Sequence, residues 1–303
     1  MLKSFIEFAD EQTWSGRLLV NEPIKEYTTF KIGGPADIIF EPADTTELQE
    51  AVHFIRAQGI PLTILGRGSN MLVSDNGIRG IVIVIAENMS AIHVDGNTLI
   101  AQAGAKMYDV SCAAAESGLS GLEFSVGIPG SVGGGVFMNA GAYEGDFGSV
   151  VESVTTVDER GLLKVYTNKD AQFGYRYSIF QENREIICQV AFKLQLAEPM
   201  QIKDCMNTLT QKRESKQPLE MPSAGSVFKR PVGYFAGTLI EQSGLKGHTI
   251  GGAQVSPKHA GFIVNVGNAK AQDVLDLIAY VQRVVREKSG VQLESEVRFI
   301  GER

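Results

Sequence analysis

A chain of 303 residues is longer than one hydrophobic core usually grows, so two or three domains are expected. Hydrophobic residues make up 44% of it and charged residues 21%, a globular balance that excludes a disordered or fibrous protein. A net charge of −7 without a basic cluster argues against nucleic acid or an anionic membrane surface as a partner.

In chain order, the opening "MLKSFIEFADEQTWSGRLLV" is interrupted by Glu, Asp and Gln too often to be the apolar core of a signal peptide. The longest apolar run, "IVIVIA" from Ile81 to Ala86, falls far short of the roughly 18 residues that a membrane span needs. A soluble protein is expected. "ADIIFEPA" reads as a strand, Thr45 or Thr46 as the cap of a helix with Leu48, Val52 and Ile55 on one face and Gly59 at its end, and "LTILG" as a second strand. This βαβ unit leads into the turn "GRGSN", at the strand end where open α/β sheets bind ligands. "IRGIVIVI" follows as a buried strand, "AIHVDGNTLIAQAG" as a hairpin turning at Asp95 and Gly96, and "YDVSCAAAESG" as a small-residue helix.

The stretch Gly127 to Gly148, "GIPGSVGGGVFMNAGAYEGDFG", holds eight glycines in twenty-two positions and neither Lys nor Arg. Bare backbone lets main-chain N–H groups approach a phosphate or a flat ring, and it equally suits a plain surface loop. After it come a hairpin turning near Glu159 to Gly161, the strand "EIICQVAFKLQL", and the helix "IKDCMNTLTQKRESK", halted by Pro218 and Pro222 where a domain boundary is expected. "PSAGSVFKRP" reads as a polar turn, "YFAGTLIEQSG" as a helix, and Val274, Leu277, Ile278, Val281, Val284 and Val285 as one face of a long helix. "QLESEVRFI" closes the chain as a strand whose alternation puts Glu294, Glu296 and Arg298 on one side.

Several chemistries are disfavoured. "GRGSNM" lacks the third glycine of the dinucleotide fingerprint and does not open a helix, and no phosphate-binding G-x-x-x-x-G-K-[ST] occurs. His53, His93, His248 and His259 share no ligand spacing, so no metal is expected. Ser226 to Lys229 and Ser74 to Asn76 imitate the S-x-x-K and S-D-N motifs of acyl enzymes, in the wrong order and without K-T-G. Cys112, Cys188 and Cys205 are odd in number and far apart, which suits a reducing cytoplasm. What survives is a pair of glycine segments some sixty residues apart, able to grip an extended ligand through its pyrophosphate.

The segments "YTTFKIGGPAD", "LGRGSNML", "GIPGSVGGGVFMNAGAYEG", "FGYRYSIF", "AGSVFKRP", "GLKGHTIGGAQVSPKHAGFIVN" and "LESEVRFIG" stand in the order and spacing of the UDP-N-acetylenolpyruvoylglucosamine reductase family, which the chain resembles from Tyr27 to Gly301. The resemblance implies an α+β protein: a vanillyl-alcohol-oxidase-type FAD-binding region of two subdomains, 1–95 (to which the C-terminal strand returns) and 96–199, and a smaller α+β substrate domain, 200–303. It implies FAD held by Gly66, Arg67, Gly68, Ser69, Asn70, Gly127, Ile128, Pro129, Gly130, Ser131, Gly133 and Gly134, non-covalently since neither loop carries His or Cys. NADPH is the implied co-substrate and a UDP-sugar enolpyruvate the substrate, in cytoplasmic peptidoglycan synthesis and so in cell shape and division, with no obligate protein partner. Arg176 and Glu296 would orient the substrate carboxylate and Ser226 would protonate C2. Lys229 and Arg230 would meet the UDP pyrophosphate, and Tyr175 would line the pocket. The short passage from Pro231 through Gly244 to Gly251 leaves little room for the extra segment of some members, so the chain resembles the shorter type. The rival readings are a flavoenzyme of the same fold acting on another small molecule, and a nucleotide-sugar binding module without catalysis.

Overall fold

Leu2, Phe5, Ile6 and Ala9 recur at helical spacing, and in the computed structural model, which describes residues 1–302, they form α1 (Leu2–Glu11) with Phe5 and Ala9 buried. Strands β1 (Arg17–Pro23) and β2 (Pro35–Glu41) precede α2 (Thr45–Ala57). The cap of α2 is Asp44, not Thr45 or Thr46: its backbone is extended and its carboxylate accepts from Thr46 N at 2.8 Å and Glu47 N at 3.0 Å, which places both threonines inside the first turn. Gly59, at φ +63°, ends the helix as expected. Then come β3 (Leu62–Leu65), β4 (Met71–Val73), β5 (Ile78–Val84), β6 (Ile92–Asp95), β7 (Thr98–Gln102), α3 (Met107–Glu116) and the short β8 (Leu119–Ser120).

The glycine-rich stretch is partly regular: α4 (Val132–Phe137) and a tight hairpin of β9 (Gly141–Ala142) and β10 (Gly145–Asp146) replace the expected loop. The hairpin β11 (Val151–Val157) and β12 (Leu163–Thr167), then β13 (Ile186–Lys193), β14 (Gln195–Leu196) and α5 (Pro199–Lys216) follow. The last stretch holds β15 (Ser223–Ser226), α6 (Ala236–Gln242), β16 (Thr249–Ile250), β17 (Ala253–Val255), β18 (Phe262–Asn265), α7 (Ala271–Ser289) and β19 (Arg298–Ile300).

The chain divides into two compact units. Unit 1 comprises Met1–Val20, Ile38–Arg67 and Gly80–Lys212. Its strands form a sheet in the order β1-β2-β5-β3 and an antiparallel sheet β12-β11-β13-β7-β6. One core runs through both: Phe40, Leu48 and Ile55 share it with Val154, Val190 and Phe192. Gln49 of α2 also donates to the carbonyl of Gly161, at the β11–β12 turn, at 2.7 Å. Because of that shared core, the stretches 38–67 and 96–199 lie in one unit.

Unit 2 comprises Asn21–Asp37, Gly68–Arg79 and Arg213–Arg303. The C-terminal strand β19 pairs in parallel with β4, and Phe30, Ile32 and Leu72 enter the core built by the sheet β15-β18-β17-β16 and α7. Those contacts carry two segments from the first 95 residues into this unit. Val274, Leu277, Val281 and Val285 of α7 are fully buried, each contributing roughly 1.5–3 kcal/mol by leaving water, so packing, not helix propensity, holds α7 in place.

Candidate active site

In unit 1 the two glycine segments meet. Gly66 lies at the end of β3, and a Cβ there would stand 2.5 Å from Ser131 Oγ. Ser131 is buried and bridged to Lys106, and the next peptides are pinned by Val132 N to Ala105 O at 2.9 Å and Gly133 N to Ala103 O at 2.8 Å. Packing requires bare backbone at Gly133 but not at Gly134. Gly133 must be glycine for packing, since its Cβ would lie 2.8 Å from that of Ala103, whereas Gly134 is exposed and its Cβ would meet only Ser131 Oγ, at 3.5 Å. Gly127 and Ile128 are half-buried, Pro129 is exposed, and Gly130 has φ +130°.

Arg67 turns into the protein. Its Nη1 donates to Glu87 at 2.9 Å and its Nη2 to the Gly104 carbonyl at 3.3 Å, while Nε is buried without a protein partner. The hydrogen bond from Arg67 holds the Glu87 carboxyl below the usual carboxylate range, against the opposing push of burial. An unpartnered buried N–H beside backbone that a Cβ would block fits a bound group rich in acceptor oxygens, such as a pyrophosphate.

Arg176 sits at φ +55° in a turn closed by Gly174 N to Tyr177 O at 3.0 Å, and its guanidinium leans on the Gly141 carbonyl at 3.4 Å. Tyr175 is 61% exposed, with the Arg176 guanidinium 5.4 Å from its ring centre. The sequence reading missed Asn139. Its buried side chain donates to Gly174 O at 2.9 Å and accepts from Gly148 N at 2.7 Å, tying the glycine-rich stretch to the Arg176 turn. The available signal was an Asn inside a glycine run, since Asn tolerates the φ of +41° found there.

Unit 2 gathers the others. Gly68 has φ +59° and a Cβ would run into the Tyr27 carbonyl, so only glycine fits. Ser69 is half-buried, and Asn70 is held by Arg298 N donating to its carbonyl at 3.1 Å and by its own Nδ2 donating to Glu296 O at 3.3 Å. Ser226 is not in a turn: it ends β15, opposite Phe262 of β18. Glu296 lies beside it, with its N–H donating to Val227 O at 2.7 Å. Glu294, Glu296 and Arg298 do not form one solvated strand face, because Ser295 bridges Phe228 while β19 begins only at Arg298; Glu296 is half-buried, whereas Glu294 and Arg298 are exposed. Lys229 pairs with Glu294 at 3.4 Å, and the Arg230 guanidinium lies 4.1 Å from the Phe235 ring centre. A cavity of about 580 Å³ in this unit, walled by Lys25, Lys31, Asp75 and Asn265, includes none of the expected site residues.

Residues 36–166 match the FAD binding domain, and residues 217–300 match the C-terminal domain of UDP-N-acetylenolpyruvoylglucosamine reductase. A UDP-N-acetylenolpyruvoylglucosamine reductase of Caldanaerobacter subterraneus is 46% identical over 303 residues, all of both chains. The chain belongs to that family. Reductases of the same name from Listeria monocytogenes, 50% identical over 93% of this chain and 95% of its own, and Clostridium perfringens, 48% identical over 97% and 95%, agree. The solved reductase of Thermus caldophilus superposes with a TM-score of 0.81 at 36% identity, covering 94% of this chain and 99% of its own. The fold is α+β with a vanillyl-alcohol-oxidase-type FAD-binding region; alkyldihydroxyacetonephosphate synthase shares it at 16% identity and a TM-score of 0.51. The protein is thus an FAD-containing oxidoreductase of this reductase family. Among the described residues no helix is long and apolar enough to cross a membrane, and no group of three or more His, Cys, Asp or Glu is placed to hold a metal.

Proposed function

We propose that the protein reduces UDP-N-acetylglucosamine enolpyruvate to UDP-N-acetylmuramate with NADPH, using non-covalent FAD, as a cytoplasmic step in peptidoglycan precursor synthesis. The observation that carries the reading is the meeting of Gly66 with Ser131, in a chain of this family, with neither His nor Cys in either glycine segment. Backbone of Gly66 to Asn70, with Arg67 and Ser69, and of Gly127 to Gly134 holds the cofactor. When bound, FAD would supply two-electron hydride chemistry between NADPH and C3 of the enolpyruvyl group.

The chain's own residues manage the charge and the proton. Hydride arrival at C3 builds carbanion character at C2 that spreads into the carboxylate, so a cation and an acid are needed. Arg176 and Glu296 orient the carboxylate, and the Ser226 hydroxyl donates its proton to C2. Lys229 and Arg230 meet the UDP pyrophosphate, and Tyr175 lines the sugar nucleotide. Residues 1–95 and 96–199 serve as the FAD-binding subdomains and 200–303 as the substrate-binding domain. The charge of −7 supports small-molecule partners over nucleic acid.

The test incubates the purified protein with NADPH and UDP-N-acetylglucosamine enolpyruvate and follows the nucleotide sugar by mass spectrometry. One UDP-N-acetylmuramate per NADPH consumed is the expected outcome. A flavoprotein that consumes NADPH and leaves the enolpyruvyl sugar unchanged belongs to the rival reading, in which the same fold serves another substrate.

A further inference from the structure

His259 stands outside every role assigned above, yet it begins a hydrogen-bond ladder that ends at two of the proposed catalytic residues. Its Nδ1 accepts from Gly261 N–H at 3.1 Å, which assigns the ring proton of the neutral imidazole to Nε2. The Gly261 carbonyl accepts from Val227 N at 2.9 Å, and the Val227 carbonyl accepts from Glu296 N at 2.7 Å. Val227 directly follows Ser226. A Cβ on Gly261 would lie 3.0 Å from His259 Cε1 and 3.4 Å from Ser226 Oγ, so the ring and the hydroxyl share one wall. The turn is further closed by His259 N donating to the buried Ser256 Oγ at 3.2 Å.

We propose that neutral His259 is a positioning residue that holds the Gly261, Val227 and Glu296 ladder in register, and that protonation at Nδ1 releases Gly261 and slows proton delivery by Ser226. Imidazolium has two N–H donors and no acceptor, so the Gly261 N–H would face another donor. The inference rests on the reading of Ser226 as proton donor.

The groups facing the ring agree with a neutral resting state. Glu241 of α6 and Lys246 beyond it are paired with each other at 2.7 Å, Lys216 ends α5, and neighbouring Lys258 is drawn to Glu220 at 3.7 Å and to the Glu214 carbonyl. Gly237 of α6 and the edge-on Phe262 ring, 5.0 Å away, bring no charge. Burial first, and the two lysines Lys246 and Lys216 after it, push His259 below its ordinary 6.5, while its own backbone hydrogen bond and Glu241 oppose them.

The test uses the holoenzyme reduced by NADPH and mixed rapidly with UDP-N-acetylglucosamine enolpyruvate, across pH 5 to 8, for wild type, His259→Asn, His259→Leu and Ser226→Ala. Wild type is expected to reoxidise more slowly toward the acid end of that range. An Asn Oδ1 replaces the Nδ1 acceptor and does not titrate, so His259→Asn should keep the neutral rate and lose the acid decline. His259→Leu strands the Gly261 N–H and should slow reoxidation roughly 10- to 100-fold at pH 7, with flavin reduction by NADPH unchanged. Reoxidation by His259→Leu at the wild-type rate, or a wild-type acid decline in His259→Asn, overturns the inference. The Asn profile decides it even where the Leu variant does not fold. A slow Ser226→Ala with a normal His259→Leu sinks this inference alone, whereas normal reoxidation by Ser226→Ala sinks the Ser226 reading and this inference with it.

Discussion

At the scale of single residues, the glycines separate into those the fold requires and those it leaves open. Gly68→Val forces a β-branched side chain to φ +59° and into the Tyr27 carbonyl, a strain of about 1–3 kcal/mol or more, so a lower Tm is expected along with lost flavin. Gly134→Ala meets nothing closer than 3.5 Å and sits in a helix, where alanine gains up to about 1 kcal/mol. It should keep or raise Tm and still lower flavin occupancy, because the added methyl projects where the cofactor's backbone contacts are proposed. Full occupancy in Gly134→Ala, read from absorbance per chain, would mark Gly134 as an ordinary surface position. Arg176→Lys keeps the charge and loses the planar fork, and should slow substrate reduction roughly tenfold or more while NADPH reduces the flavin normally. Equal loss in both half-reactions would make Arg176 a structural residue. Arg176 was visible in the sequence only through its family motif, because read alone an arginine between two tyrosines is an ordinary stacked side chain. Asn139 goes unnoticed in the sequence and His259 is weighed there only as a metal ligand, because their partners, Gly148 and Gly174 for one and Gly261 for the other, are main-chain atoms that no motif displays.

At the scale of elements, periodic segments were legible and segments defined by tertiary contact were not. The Val274-to-Val285 stripe of α7 carries its period in the sequence, and so do the β6–β7 and β11–β12 hairpins. The glycine run hid α4, whose glycines are poor helix formers held by packing against Ala103, Phe147 and Met107. "PSAGS" reads as a turn because its residue types favour turns, but pairing with β18 makes it a strand. The start of α7 offers a test of its own. Asp273 accepts from Gly252 N and from Lys270 N, both at 3.0 Å, and these bonds hold its carboxyl below the ordinary 3.8. A depressed native value means that the stabilisation is complete above about pH 4 and is lost as pH falls through the native value. Asp273→Asn should therefore lower Tm at pH 7, and the gap from wild type should narrow toward pH 3. A gap independent of pH would show that the carboxylate charge contributes nothing there.

At the scale of the whole molecule, residues far apart in sequence join in one compact unit. Asn21–Asp37 and Gly68–Arg79 belong with the C-terminal unit, because β4 finds its partner in β19 and Asn265 donates to Phe30 O at 3.1 Å across 235 residues of sequence. Pairings of such separation leave no local trace in composition or periodicity, and only the family resemblance implies the return of the C-terminal strand. The first glycine turn is consequently split, with Gly66 and Arg67 in unit 1 and Gly68 to Asn70 in unit 2. The full-length likeness to the reductases makes the flavin the central claim for the molecule as a whole. The most direct measurement is the anaerobic visible spectrum of the purified protein, taken alone, after NADPH, and after subsequent addition of UDP-N-acetylglucosamine enolpyruvate. The expected result is a yellow protein that bleaches with NADPH, regains its colour with the enolpyruvyl sugar, and releases free FAD on denaturation. A protein that stays colourless after incubation with FAD, or a bleached flavin that the enolpyruvyl sugar leaves bleached, would contradict it.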